Sequence, residues 1–285
     1  MIIVVITAVF ALAIAFVLGT SLGFFKDFFA VPQDPLTASI REALPGANCG
    51  ACGFPGCENY AVAIAGGNAG ISSCSVGGPA LVEKLAQITG KAGEAVKSTV
   101  AVLACQGSYM HTPQKGIYTG IKNCRGAKLA TGGTKFCSFG CLGFGDCVKA
   151  CKFGAIGMDA KKGLPVIDLA KCTGCGMCVT ECPQLIIKSV ARDQKGVMVL
   201  CSNRSLNRQQ VAKSCKISCI KCGQCVKQCP RQCVDLSANI PVIDLSKCTS
   251  CGTCVEKCPT KVMKIIETVL PQTPPFPADR PPFPA

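Results

Sequence analysis

The chain has 285 residues, among them 25 cysteines and one histidine, no tryptophan, and a formal charge of +14. This length allows one large domain or two to three small ones. Most cysteines sit in tight clusters with two or three residues between them, a spacing that suits wrapping a shared metal centre better than a secreted disulfide scaffold. Thiols held reduced for metal imply a reducing compartment. The charge counts every cysteine as neutral, whereas a [4Fe–4S] core on four thiolates carries about −2, so five of them would leave the loaded chain near about +4. The basicity then reads as counter-charge for buried anions. No motif for nucleic acid accompanies it.

In chain order, residues 2–25 (IIVVITAVFALAIAFVLGTSLGFF) carry no charge. As a helix they would span about 36 Å, against a hydrocarbon core of about 30 Å. A cleaved signal peptide is the competing reading. It would need a basic n-region and a shorter apolar run, and export would oxidise the thiols. An uncleaved single-pass anchor is therefore expected, in the inner (cytoplasmic) membrane. Lys26 and the basic body follow the span, which puts the body on the cytoplasmic side.

Residues 26–40 read as a juxtamembrane linker and 41–100 as a small helical [4Fe–4S] domain. That domain has the loop PGANCGACGFPGC followed by Ala-rich helical stretches. Its Cys49, Cys52, Cys57 and Cys74 have the spacing C-x2-C-x4-C-x16-C, three ligands in a Gly/Pro loop and a fourth after a helix. Residues 101–190 open on an apolar strand-like run, VAVLAC, and lead into a first ferredoxin-like module; 191–269 form a second. Residues 270–285 form a Pro-rich tail, either solvated or strapped onto a partner.

The two modules repeat. CSFGCLGFGDCVKAC followed by PVIDLAKCTGCGMCVTEC matches CKISCIKCGQCVKQC followed by PVIDLSKCTSCGTCVEKC. The expected fold is α+β, with clusters in place of much of a hydrophobic core. Three groups have C-x2-C-x2-C-x3-C-P, in which three thiols hold one cube and the fourth serves the module's other cube. Four cysteines within eleven residues is a poor zinc pattern. The swap assigns Cys172, Cys175, Cys178 with Cys151; Cys219, Cys222, Cys225 with Cys258; and Cys248, Cys251, Cys254 with Cys229. In the remaining group Phe144 stands where the repeat has Cys222. Cys137 is the natural replacement, giving Cys137, Cys141, Cys147 and Cys182. The alternative is a lost cluster, with Cys137 a bystander like its counterpart Cys215. Five clusters use twenty cysteines. Cys105, Cys124, Cys201, Cys215 and Cys233 are left as buried small hydrophobes, or as ligands of a sixth cluster. His111 reads as a loop residue. Neither a nucleotide-binding glycine motif nor a nucleophile–base pair is present, so no substrate-converting site is expected.

An apolar N-terminal span, NCGACGFPGC with Cys74, CSFGCLGFGDCVKAC and ferredoxin repeats together resemble the B subunit of the Rnf complex, the ion-translocating ferredoxin:NAD+ oxidoreductase. The resemblance covers residues 1–265. It implies a relay subunit of a translocase that takes electrons from reduced soluble ferredoxin. Its partners would be the flavin- and NADH-bearing subunits and the membrane subunits. A polyferredoxin of another membrane-bound reductase or hydrogenase is the alternative.

Overall fold

Helix α1 (Ile2–Phe28) takes in the whole uncharged stretch and runs past it through Lys26 and Asp27, 27 residues in all. Its segment Val5–Lys26 has a mean hydropathy of 2.4 and none of its described residues is buried. In this computed structural model, residues 2–28, 34–93 and 98–269 are described. Among the described residues none covers this apolar helix, and a bilayer is the medium that would.

The first unit packs three helices, α2 (Pro35–Ala43), α3 (Cys57–Ala65) and α4 (Gly78–Thr89). Asp34 caps α2 by accepting from the Leu36 N–H, and Pro35 opens the first turn. Ile40 of α2 is fully buried beside Tyr60, Ile64 and Leu85. The linker expected over 26–40 is thus corrected in its last part: residues 35–40 lie in a helix that supplies core. An amphipathic stretch of nine residues is too short to show a clear period in sequence alone. Part of that linker, 29–33, and the tail expected over 270–285 lie outside the described residues.

The remaining chain is built on four two-stranded antiparallel ladders. Strand β1 (Thr99–Leu103) realises the expected apolar run. After α5 (Cys124–Thr131) and α6 (Asp146–Ala150) come β2 (Ile156–Asp159), β3 (Leu164–Ile167), α7 (Met177–Glu181) and β4 (Ile187–Ala191). β1 pairs with β4 and β2 with β3. The pattern recurs through β5 (Val197–Val199), α8 (Arg208–Ser214), α9 (Gln224–Lys227), β6 (Val234–Asp235), β7 (Val242–Ile243), α10 (Thr253–Glu256), β8 (Met263–Ile265) and α11 (Ile266–Val269). Here β5 pairs with β8 and β6 with β7. The repeated PVIDL has a local cause. Asp168 accepts from the Ala170 and Lys171 N–H groups, turning the chain from β3 into the next cysteine loop; Asp244 repeats this with Ser246. The cores left between such short ladders are small and are completed by cysteines.

Candidate metal centres

Four loops share one backbone. In each, the residue two past the first cysteine has positive φ: Gly143, Gly174, Lys221 and Ser250. A second left-handed residue, Gly145, Gly176, Gly223 or Gly252, immediately precedes a short helix. That helix carries Cys147, Cys178, Cys225 or Cys254 in its first turn, with the thiol buried. Three residues after the last cysteine a third left-handed position follows: Gly154, Leu185, Gln232 and Lys261. Strain of this kind at non-glycine residues persists only where the loop must curl round something.

The thiols meet around voids. Cys151, Cys172, Cys175 and Cys178 line one of about 400 Å³, its mouth included. Cys219, Cys222, Cys225 and Cys258 line one of about 340 Å³. Cys229, Cys248, Cys251 and Cys254 line another of about 340 Å³, joined by Cys233, whose sulfur lies 3.3 Å from that of Cys229. In all three, the fourth thiol comes from the other loop of its module. Backbone N–H groups approach the sulfurs, as from Ala155 to Cys151 at 3.3 Å and from Ala101 to Cys172 at 3.5 Å, and such donors offset thiolate charge.

The irregular group differs from expectation. A void of about 370 Å³ is lined by Cys141, Cys147 and Cys182 together with Cys124, and Cys137 is not among its walls. Cys124 begins α5, whose N-terminus is fixed twice. Asn123 caps it at Gly126, and buried Asp146 accepts from the N–H groups of Cys124 (2.8 Å) and Arg125 (3.3 Å). Asp146 stands next to Cys147, so the loop lacking a central cysteine holds the helix that brings one. Cys137 turns away to a fifth void of about 350 Å³, shared with Cys105, Cys201 and Cys215. The near-equal spacing of Cys124 and Cys201 ahead of the two repeats is the sequence signal for both sites. His111 lies in a loop, its Nδ1 2.8 Å from the Ser108 hydroxyl.

In the helical unit, Cys57 and Cys74 are buried, with Cys52 packed against the same core. The Asn48 side chain accepts from the Cys57 N–H at 2.8 Å, holding the loop to the start of α3. Tyr60 donates to the Gly70 carbonyl and accepts from the Ser73 N–H, which pins the turn returning Cys74. Burial pushes the Cys74 thiol up, and the nearby Cys52 and Cys49 push it further.

These residues fit iron–sulfur cubes by three tests. Among the described residues, no three Cys, His, Asp or Glu side chains converge to hold a single metal ion. Thiols standing round a void suit a four-iron cube better than a tetrahedral zinc ion. Buried donors stand at the thiol groups: Thr112 Oγ1 and Lys221 Nζ line two of the voids without a protein partner, Thr173 lines a third beside Cys175, and Ser75 and Ser250 adjoin Cys74 and Cys251. A buried donor left unmet costs about 1–3 kcal/mol. Finally, burial raises the thiols, Cys141 and Cys178 to about 12, so binding of iron there would displace thiol protons.

Comparison with known proteins points the same way. A family model for an Fe-S cluster matches residues 44–76. Models described as 4Fe-4S dicluster domains match 139–187, 164–230 and 218–262. The chain is 43% identical over 233 residues to the B subunit of the Na(+)-translocating ferredoxin:NAD(+) oxidoreductase complex of Acetobacterium woodii, covering 81% of this chain and 68% of that one. It is 36% identical to the B subunit of the ion-translocating oxidoreductase complex of Methanosarcina acetivorans, over 76% and 81%. It is 39% identical to the B subunit of the proton-translocating ferredoxin:NAD(+) oxidoreductase complex of Clostridium ljungdahlii, over 82% and 81%.

Proposed function

The chain belongs to the B-subunit family of ion-translocating ferredoxin:NAD+ oxidoreductase (Rnf) complexes, and on that premise we propose how it serves as their electron-transfer subunit. It is a membrane-associated [4Fe–4S] protein. Its own residues provide thiol quartets that would hold the cofactor, and a [4Fe–4S] cube supplies reversible one-electron chemistry. Five quartets carry the reading: Cys49, Cys52, Cys57 and Cys74; Cys151, Cys172, Cys175 and Cys178; Cys124, Cys141, Cys147 and Cys182; Cys219, Cys222, Cys225 and Cys258; Cys229, Cys248, Cys251 and Cys254.

The carrying observation is that neighbouring quartets are packed together. Lys152 donates to the Ala47 and Asn48 carbonyls (3.4 and 3.1 Å), docking the Cys49 loop on the first module beside Cys175. Cys147 and Cys178 lie in one core with Cys151, Cys172 and Cys182. Cys219, Cys225, Cys254 and Cys258 share another. Such adjacency supports short electron steps within each module. Reduced soluble ferredoxin is the proposed donor, flavin- and NADH-bearing subunits are the proposed partners, and the body lies on the cytoplasmic face. The basic surface favours an acidic donor.

The test uses the full chain, purified anaerobically. It should show a broad absorbance near about 400 nm, bleached by reduced ferredoxin, at a rate that falls as salt rises. Cys175→Ala should remove one cluster's signal and destabilise the first module. A colourless chain, or unchanged iron in Cys175→Ala, would refute the assignment.

A further inference from the structure

The five quartets leave a break. Nothing in them joins the first module to the second, yet between the modules lies the void of about 350 Å³ that holds four of the cysteines left over or displaced. We propose that Cys105, Cys137, Cys201 and Cys215 are the ligands of a sixth [4Fe–4S] site that bridges the two modules and makes the electron route continuous. The proposal rests on the electron-transfer reading and extends it.

Symmetry is the first support. Cys105 lies two residues past β1, and Cys201 two residues past β5, the corresponding strand of the other module. Ala104 donates to the Ile186 carbonyl (2.7 Å) and Leu200 to the Val262 carbonyl (2.8 Å), so both chains leave their ladders in the same register. Cys137 and Cys215 each stand four residues before the first cysteine of their loop, Cys141 and Cys219. Each module thus supplies two thiols from the same two positions. The Ser202 hydroxyl donates to the Ala104 carbonyl at 3.0 Å, tying the two strand ends together.

The surroundings are built for an anion. Cys105 accepts from the Gly107 N–H at 3.4 Å, Cys201 from the Cys219 N–H at 3.4 Å, and Cys137 from the buried Asn203 amide at 3.7 Å. A side chain at Gly107 would begin 3.5 Å from the Cys105 sulfur, 3.8 Å from that of Cys215 and 2.8 Å from Thr112 Oγ1, so only glycine leaves this wall clear. Thr112 Oγ1 is buried, lines the void and has no protein partner. Lys135, 1% exposed, also lines it. Its ammonium donates to the Gly107 carbonyl (2.8 Å) and sits 5.1 Å from the centre of the Tyr109 ring. No carboxylate pairs with it among the described residues. A buried cation with no anionic side chain calls for an anion in the adjoining space.

The position completes a series. Cys105 packs with Cys141 and Cys182 of the first module, and Cys201 touches the Cys219 backbone of the second. On loading, four S–H bonds break, four Fe–S bonds form and four protons leave, with no change of oxidation state in the protein. Electrons then pass singly from one neighbouring cluster to the other.

Iron and acid-labile sulfide per chain decide the matter on the anaerobically purified full-length protein. About twenty-four irons are expected in the unmodified chain, and about four fewer in each of Cys201→Ala and Cys215→Ala, with the remaining clusters' reduced EPR signals retained. About twenty irons in the unmodified chain, with or without one zinc, overturns the sixth site and leaves the five-site reading standing. Absence of iron overturns both. Should a variant come apart and lose more than four irons, the count on the unmodified chain still decides.

Discussion

The first cysteine loop of module one and its counterpart in module two have the same backbone and a different supply of thiols. Both turn through left-handed residues at equivalent places, Gly143 and Lys221, Gly145 and Gly223, Gly154 and Gln232. Module two places Cys222 in the middle of the loop. Module one has Phe144, packed edge-on against Tyr118 at 5.6 Å, and lines its void with Cys124 from α5, the thiol proposed here as the replacement. The shape of a cluster loop is therefore separable from the supply of its sulfurs. Backbone torsions form the cradle, and a thiol can enter from another element if something holds that element in place, as Asp146 does.

The sharpest way to break this comparison is to remove the imported thiol. Cys124→Ala should lose one cluster, about four irons, as Cys222→Ala should in module two. Adding Phe144→Cys to Cys124→Ala should restore it, because the loop already has the cradle. Iron assay with EPR of the reduced chain reads both. Iron unchanged in Cys124→Ala would return the site to another ligand.

A smaller contrast lies in pH. In module one burial raises Cys141 and Cys178 to about 12. In module two burial still raises Cys254, to about 11, but the Thr253 hydroxyl and N–H hold exposed Cys251 low, and at Cys258 the N–H groups of Met263 and Val262 outweigh burial. Binding iron expels thiol protons, so loading strengthens as pH rises, at about 1.4 kcal/mol per unit of thiol pKa still to be overcome. Module two should load at lower pH than module one when metal-free chain is reconstituted anaerobically across a pH series. Alkylation of unligated cysteines followed by mass spectrometry would follow each module. Coincident profiles would dismiss the contrast.

The smallest effect concerns Lys221 against Gly143. Lys221 has φ 58° and an ammonium buried beside its void without a protein partner. Lys221→Gly should relieve about 1 kcal/mol of backbone strain and, by removing a cation, make the reduction potential of that site more negative. A redox titration that finds the potential unmoved would mean that the lysine is turned away from the cluster.

Much of this is legible in the chain itself. The regular spacing and the repeat point to three quartets and their swapped fourth thiols, and the voids bring those same residues together. Reasoning along the chain groups Cys137 with Cys141, Cys147 and Cys182 because it favours the nearest spare thiol, whereas the void beside those three is lined by Cys124, which arrives through a helix held by Asp146. The helix over 35–43 reads partly as linker because so short a stretch shows little period.

From the amino-acid order alone come the apolar span, the iron–sulfur chemistry and the tandem repeat, since all three are local patterns of residue type and spacing. Which thiols share a cavity where the pattern is broken, and how the two modules meet around Cys105, Cys137, Cys201 and Cys215, was decided by tertiary structure. Those sulfurs lie up to 110 residues apart in the chain, and contacts between the modules, from the Ser202 hydroxyl to the Ala104 carbonyl and from the Asn203 amide to Cys137, hold them in one place.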